Sequence, residues 1–377
     1  MARPLLSAAL IVRDESLVLS RCLRSLHGLA DEIVVVDTGS KDNSRDIARD
    51  CGARVLDYPW NSDFAAARNA ALDAASGQWA LYIDADEEVV GFERAELAAL
   101  LGDALHAACT VRLRPVTGYT RYREHRLFRN RADLRFRGVI HESILPALGD
   151  LCAREGLRVA DSSLDIHHYG YDRDSTRKHE RNLPLLRARL EAEPGHIYSW
   201  WHLGATLQAL GDVDGAEHAW RQAVEILRTR PAATLGDSLP YLDLARQLLD
   251  QKRDATALLD EACARFPNNH ALAWLRARDL VEGERYEDAM LLFARLAEID
   301  AETLCDGLAY DPSIFGVNAH AALGLCAFRL GRFGESAAHY ARAEALAPND
   351  LAIRRKRQLA QAQAALPRST VTEQDRG

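Results

Sequence analysis

Short apolar runs alternate with amphipathic segments in the first half of the chain. The runs cover residues 5–12, 32–36, 54–56 and 79–83. Residues 5–12 and 79–83 are continuous enough to predict buried strands of a parallel sheet, and residues 32–36 and 54–56 predict two further strands. Apolar positions at helical spacing (residues 17, 19, 22, 23 and 26) and the segment 45–51 predict helices between them. Further strands are expected at 110–113 and 124–129. This order predicts a doubly wound α/β sheet.

The second half changes to a helical composition from residue 175, rich in Leu, Ala, Glu and Arg. Two segments place large, small and aromatic residues as the tetratricopeptide repeat of about 34 residues does. They are Trp200, Leu203, Gly204, Leu207, Ala216, Trp220 and Ala223, and Leu323, Gly324, Ala327, Ser336, Tyr340, Ala343 and Pro348. Two weaker units lie between them. The pattern predicts an all-α solenoid of stacked helical hairpins, with Trp200, Trp220, Phe293 and Tyr340 in its core.

These patterns predict two domains and a tail. We expect the α/β domain at residues 1–175, the helical domain at 176–365 and a polar, disordered tail at 366–377. The long intervals between repeat units place insertions near residues 229–238 and 301–316.

Two carboxylates follow the last of the four apolar runs. Asp84 and Asp86 come directly after residues 79–83. Side chains two apart on a strand point the same way, and ligands of open α/β sheets lie beyond the carboxyl ends of strands. Mg²⁺ prefers such oxygen ligands together with substrate phosphates. The pair predicts a metal–diphosphate site, and a solvated strand end or a helix cap is the alternative.

Other polar residues follow neighbouring strands. Asp37 ends the second run, and Asp14 and Glu15 follow the first. Arg68 lies on the predicted helix before the metal strand, where its guanidinium could bind a phosphate bidentately. The alternative for Arg68 is an ion pair with Asp63 or Asp73.

Composition and missing motifs exclude several classes. Asp and Glu number 55 against 47 Lys and Arg, a net charge of −8 that argues against nucleic-acid binding. Residues 13–16 stand where a dinucleotide-binding fold has G-x-G-x-x-G, and no P-loop motif is present. The seven cysteines lack C-x-x-C spacing and no secretory leader is evident, so we expect reduced thiols in the cytoplasm. No apolar run is long enough for a transmembrane segment.

Three ordered motifs extend this interpretation. They are Val-Asp-Thr-Gly-Ser-Lys-Asp at 36–42, Phe-Ala-Ala-Ala-Arg-Asn at 64–69 and Leu-Tyr-Ile-Asp-Ala-Asp-Glu-Glu at 81–88. Together with the first strand and its Arg-Asp-Glu, residues 5–175 resemble family 2 glycosyltransferases of the GT-A fold, in the branch where tetratricopeptide repeats follow the transferase domain.

The resemblance implies transfer of a sugar from a nucleotide-sugar donor, a UDP-sugar, with inversion. It implies donor contacts from Asp14, Glu15, Asp37, Arg68 and Asp84. It also implies a divalent metal, Mn²⁺ or Mg²⁺, held by Asp84, Asp86 and His168, with His168 matching better than His167. Glu142, in Phe-Arg-Gly-Val-Ile-His-Glu, takes the place of the general base, although a His-Glu pair is often purely structural.

Two other functions stay open at this level. One is an interaction scaffold whose transferase domain is degenerate, and the other is a sugar-phosphate nucleotidylyltransferase. The second would need a glycine-rich loop after the first strand, where residues 13–16 stand. The repeats suggest a peptide or protein acceptor or a homo-oligomer, while an envelope glycan or a small molecule is also open.

Overall fold

The computed structural model describes residues 3–116, 118–170 and 175–366. Apart from Leu366, the predicted disordered tail lies outside these ranges. Within them, no helix has both the length and the apolar character that crossing a bilayer requires. The described chain divides into two compact units. One ends at residue 240 and also includes Cys305–Ala309, and the other contains the remaining helices.

The first unit is built on a mixed sheet. Its strands are β1 Leu6–Val12, β2 Glu32–Asp37, β3 Arg54–Asp57, β4 Trp79–Tyr82, β5 Glu87–Gly91, β6 His106–Pro115, β7 Arg121–Arg129, β8 Arg158–His168 and β9 Cys305–Asp306. Their order is β3-β2-β1-β4-β7-β6-β8-β5, and β9 pairs with β7. Strands β3, β2, β1 and β4 are parallel, whereas β7 runs antiparallel to β4 and β6. The carboxyl ends of β1, β2 and β4 therefore meet at one edge.

Helices cover both faces of this sheet. They are α1 Leu19–Ser25, α2 Ser44–Asp50, α3 Phe64–Ala74, α4 Arg94–Gly102 and α5 Leu145–Glu155. Successive residues of β1 enter opposite cores, because Leu10 packs with α1 and α4 while Ala9 packs with α3 and α5. Leu17, expected on the apolar face of the first helix, precedes that helix and is 72% exposed.

Helical hairpins follow β8. The helices are α6 Ser175–Ala192, α7 Ile197–Ala209, α8 Val213–Arg228, α9 Leu239–Asp250, α10 Thr256–Arg265, α11 His270–Glu282, α12 Tyr286–Ala297, α13 Val317–Arg329, α14 Phe333–Leu346 and α15 Leu351–Ala365. The short strand β9 lies between α12 and α13. Short 3-10 turns at Leu235–Ser238 and Pro312–Ile314 lie in the two predicted insertions. A mixed sheet followed by helical hairpins confirms the predicted fold class.

The repeat pattern is explained by glycines that pack against aromatic rings. A Cβ on Gly204 would lie 2.2 Å from Trp220 Nε1, and one on Gly324 would lie 3.0 Å from the ring of Tyr340. Trp220, Tyr340 and Phe293 are buried as predicted. Trp200 is only half-buried, and its Nε1 donates to the carbonyl of Pro194.

The domain boundary at residue 175 stays a prediction. It marks the point where strands give way to helices, but α6, α7 and α8 belong to the same compact unit as the sheet.

Candidate active site

Asp37 lies at the end of β2 with its side chain almost fully buried. Its Oδ1 accepts hydrogen bonds from the backbone N–H of Gly39 and Ser40, each at 3.0 Å, and from Arg45 Nε at 2.8 Å. Burial opposes ionisation, yet the donors from Ser40 and Arg45 hold the pKa of Asp37 below its usual value. Oδ2 is buried without a protein partner. A buried carboxylate oxygen of this kind fits a donor group from a ligand.

The corner after β1 packs against the loop after β2. The backbone N–H of Asp14 donates to Ser40 Oγ at 2.9 Å, and Asp14 Oδ1 accepts from the N–H of Lys41. The N–H of Glu15 donates to Ser44 Oγ at 2.8 Å. Asp14 has φ 58°, a left-handed conformation that these bonds stabilise. Asp14 and Glu15 thus lie beside the loop that follows Asp37.

The acidic segment after β4 is a turn. Strand β4 ends at Tyr82, so strand alternation does not set the directions of Asp84 and Asp86. Asp84 Oδ1 lies 2.8 Å from Arg68 Nη2, and Oδ2 lies 3.4 Å from Arg126 Nη1. Burial alone would raise the pKa of Asp84, but these two cations hold it well below its usual range. Asp86 has a different neighbour.

Asp86 meets His168 at the end of β8. Asp86 Oδ2 lies 3.2 Å from His168 Nε2. Antiparallel pairing of β5 with β8 sets this contact, because Glu87 is opposite His168 and the N–H of Tyr169 donates to the carbonyl of Asp86. The hydrogen bond to Asp86 raises the pKa of His168. His167 points to the other side of the strand, near the ring of Tyr169.

A carboxylate and an imidazole side by side fit a divalent cation. Mn²⁺ accepts both ligand types, and its remaining positions suit phosphate oxygens. Within the described ranges, no group of three or more His, Cys, Asp or Glu side chains is arranged to hold a metal. The predicted third ligand, Asp84, is paired with two arginines. Of the three predicted metal ligands, Asp86 and His168 are therefore the two whose side chains contact each other.

Arg68 joins two acidic residues from distant parts of the chain. Its Nε donates to Glu142 Oε1, while its Nη2 contacts Asp84. The side chains of Arg68 and Glu142 are only 12% and 10% exposed. The alternative pairing of Arg68 is not observed. Asp63 instead caps α3 through the N–H of Ala66, and Asp73 binds Arg135.

Arg126 is a second buried cation, and its role was not evident from the sequence. It lies on β7 and contacts Glu87 at 2.9 Å and Glu124 at 2.9 Å, besides Asp84. Its guanidinium and that of Arg68 lie 4.4 Å and 4.9 Å from the ring centre of Tyr82. The signal that was present is the two-residue spacing of Glu124 and Arg126 on one predicted strand. Arg68 and Arg126 thus form an ion-pair network around the acidic turn. Its carboxylates are Asp84, Glu87, Glu124 and Glu142.

Comparisons with known proteins show which families the sequence is similar to. Residues 7–149 match the model of the family "Glycosyl transferase family 2", and residues 317–350 match that of the tetratricopeptide repeat. A TPR repeat-containing protein of Synechococcus elongatus is 40% identical over 234 residues, which are 60% of this chain and 58% of that protein. The SPbeta prophage-derived glycosyltransferase SunS of Bacillus subtilis is 27% identical over 222 residues, 55% of this chain and 50% of that protein.

The chain thus spans 58% and 50% of the length of these curated relatives. A solved structure of glucosyl-3-phosphoglycerate synthase from Mycobacterium tuberculosis, in complex with Mn²⁺, UDP and glucosyl-3-phosphoglycerate, shares 19% identity and a TM-score of 0.37, covering 50% of this chain and 79% of that one. The two family matches confirm the resemblance predicted from the ordered motifs. Residues 7–149 of this chain are therefore similar to the family 2 glycosyltransferase domain, and residues 317–350 are similar to the tetratricopeptide repeat.

Proposed function

We propose that this protein transfers a sugar from a UDP-sugar to an acceptor with inversion at the anomeric carbon, and that the reaction depends on a divalent metal. The observation that carries the proposal is the meeting of Asp86 with His168 at the acidic turn, next to the carboxylate–arginine network of Asp84 and Arg68. The family 2 match supports the class of reaction. The UDP donor and the inverting outcome come from the motif resemblance.

The nucleotide is assigned to the pocket at the ends of β1 and β2. Asp37 Oδ2 is buried and without a protein partner, so it can accept an N–H from a base. The other oxygen of Asp37 is already held by Gly39, Ser40 and Arg45, which fixes the direction of the carboxylate. Asp14 and Glu15 line the neighbouring side.

The diphosphate is assigned to the space beside Asp86 and His168. When bound there, Mn²⁺ or Mg²⁺ would neutralise the charge that develops on the departing diphosphate oxygens. Arg68 has one guanidinium nitrogen, Nη1, that is buried without a protein partner. That donor can bind a phosphate oxygen while Nε and Nη2 stay on Glu142 and Asp84.

Glu142 is assigned as the general base that removes the proton of the acceptor. Arg68 holds one oxygen of its carboxylate and so fixes the orientation of the group. The same arginine contacts Asp84, so one guanidinium group links the proposed base to the proposed donor site. Proton transfer by a positioned carboxylate typically contributes about 10²–10⁴-fold to a rate.

The first test measures binding of UDP with and without Mn²⁺ by calorimetry and thermal shift. Wild type should bind UDP more tightly with Mn²⁺, and Asp86→Asn should lose this metal-dependent gain while keeping its fold. Asp46→Asn is the matched control, because Asp46 lies on α2 with its side chain 75% exposed. Equal Mn²⁺ dependence in Asp86→Asn and wild type would refute the metal role.

The second test separates the base from donor binding. Glu142→Gln keeps an oxygen for Arg68 but cannot accept a proton, so hydrolysis of the sugar nucleotide that binds best should slow by about 10²-fold or more. Its UDP affinity should stay within about twofold, since the donor ligands are unchanged. An unchanged hydrolysis rate would remove Glu142 as the base.

We further propose a polypeptide acceptor and a cytoplasmic location. A polypeptide acceptor is supported by the tetratricopeptide repeat and by an open cavity of about 350 Å³ in the second unit. Both apolar and charged side chains line this cavity. Its lining residues are Glu287, Met290, Leu291, Ala294, Leu323, Arg332, Glu335 and His339. Transfer of labelled sugar to proteins of a cell extract, abolished by Glu142→Gln, tests the acceptor class.

The cytoplasmic location is supported by the seven cysteines, which are all free thiols.

A further inference from the structure

Glu142 lies in a closed loop with an unusual backbone. In this Glu142 loop (residues 137–143), the N–H of Arg137 donates to the carbonyl of Ser143 and the reverse bond also forms, each at 3.0 Å. Gly138 has φ 105° and His141 has φ 49°. A left-handed backbone at a histidine is a sparsely populated state that persists only where the surroundings enforce it. The contacts that enforce it come largely from outside the sheet.

The first of these contacts is made by Arg189 of helix α6. Arg189 is 6% exposed and its Nη1 donates to the carbonyls of Ile140 and His141. Its Nη2 lies 3.1 Å from Nε2 of His196, at the start of α7. The guanidinium is so close to Gly138 that a Cβ there would lie 2.1 Å from it. One side chain therefore fills the loop and holds two of its carbonyls.

The second contact is a stack of two imidazole rings. The ring of His141 lies on that of His202 of helix α7, with centroids 3.5 Å apart and an interplanar angle of 12°. Tyr198, one turn earlier on α7, meets both rings edge-on. His141 is thus held by α7 on one side of the loop, while its neighbour Glu142 is held by Arg68 on the other side.

We propose that helices α6 and α7 are part of the catalytic site, with Arg189 and His202 acting as positioning residues that fix the backbone of the Glu142 loop. This inference rests on the proposed role of Glu142 as base. The family match ends at residue 149, so nothing in it assigns a role to these helices. Their position in the compact unit of the sheet agrees with the proposal.

If Arg189 and His202 position the base, substitutions of these residues should affect turnover and UDP binding differently. Arg189 and His202 contact the loop that carries the base, whereas the nucleotide pocket is built from the ends of β1 and β2. A displacement of about 1 Å in a catalytic group can reduce a rate about 10²-fold. Loosening the loop should therefore lower turnover and leave UDP affinity unchanged.

Amide hydrogen exchange of the full chain tests the positioning without reference to catalysis. Arg189→Met removes the donors to Ile140 and His141 and should speed exchange of amides in residues 137–143 by about tenfold or more. Arg187→Met is the matched control, since Arg187 lies exposed on the same helix and should leave this exchange unchanged. Unchanged exchange in Arg189→Met would overturn the proposal.

Kinetics of the same variants test the link to the base. Arg189→Met should lower the rate of UDP-sugar hydrolysis by about tenfold or more, with UDP affinity in the presence of Mn²⁺ within about twofold of wild type. Arg189→Lys, which still offers donors to the loop, should recover part of the rate. Turnover equal to wild type in Arg189→Met, or an equal loss of UDP affinity, would overturn the proposal.

His202 provides a second route if Arg189→Met does not fold. His202→Phe keeps a flat ring against His141, whereas His202→Ala removes it. The alanine variant should show faster exchange of the Glu142 loop and slower turnover, and the phenylalanine variant should resemble wild type. Identical behaviour of the two variants would refute the role of the stack. If wild type neither binds UDP nor turns over, the proposed function fails, while the exchange results still decide on the positioning.

Discussion

Arg68 offers the sharpest test of the ion-pair network. Arg68→Met keeps much of the side-chain length but leaves Glu142, 10% exposed, without its cation. Asp84 is affected less, because Arg126 stays 3.4 Å from its other oxygen. Breaking a buried ion pair costs about 3–5 kcal/mol. Since one of the two carboxylates keeps a partner, we expect a loss of about 3 kcal/mol in the free energy of unfolding.

Scanning calorimetry measures this loss. For a unit of this size, about 2–4 °C per kcal/mol predicts a decrease of about 6–12 °C in Tm. Adding Glu142→Gln removes the uncompensated charge, so the double variant should recover about 1–3 kcal/mol. Arg49→Met breaks an exposed pair with Asp46 and should cost less than about 1 kcal/mol. A Tm of Arg68→Met equal to that of wild type, or strictly additive effects in the double variant, would refute the reasoning.

Two further predictions concern packing and pH. Gly204→Ala should destabilise the protein by about 1–3 kcal/mol in urea unfolding, because its Cβ would meet Trp220, whereas Gly149→Ala, with open space around the Cβ, should be neutral or stabilising. Burial lowers the pKa of His141 to about 4 and that of His202 well below its usual value. In the unfolded chain both histidines bind a proton near pH 6.5. The free energy of unfolding should therefore be highest above that pH and should decrease as the pH falls toward 4. The loss should reach about 2–3 kcal/mol for His141, and His141→Asn should flatten the dependence measured by urea unfolding between pH 5 and 7.5. An equal stability of Gly204→Ala and Gly149→Ala, or an unchanged slope in His141→Asn, would contradict these expectations.

The local sequence pattern was sufficient to predict the first three strands of the chain. β1 and β2 lie within one residue of the predicted runs, because strands buried on both faces must be continuously apolar. β3, an edge strand with exposed ends, also lies within one residue of its predicted run. Repeat spacing likewise identified Gly204 and Trp220 as repeat positions, and the structure shows that they pack against each other. Strand β5 was missed because Glu87 and Glu88 interrupt the apolar pattern, although Glu87 is buried against Arg126.

The partners of the site residues required the tertiary structure. Arg68 was predicted to bind a phosphate or a nearby aspartate, yet its partner Glu142 lies 74 positions away. Asp84 and Asp86 were expected to face the same way as residues of one strand, but the strand ends at Tyr82. Asp84 contacts Arg68 and Arg126, whereas Asp86 contacts His168.

What the sequence by itself determined is the period of each element and the residue types available at the strand ends. Periodicity and burial act over a few neighbouring residues, so they can be read along the chain. What only the tertiary structure decided is which charges meet, including the contact of Arg189 with the carbonyls of Ile140 and His141. The physical reason is that long cationic side chains bind whichever acceptors the topology brings within reach, and that choice depends on the path of the whole chain.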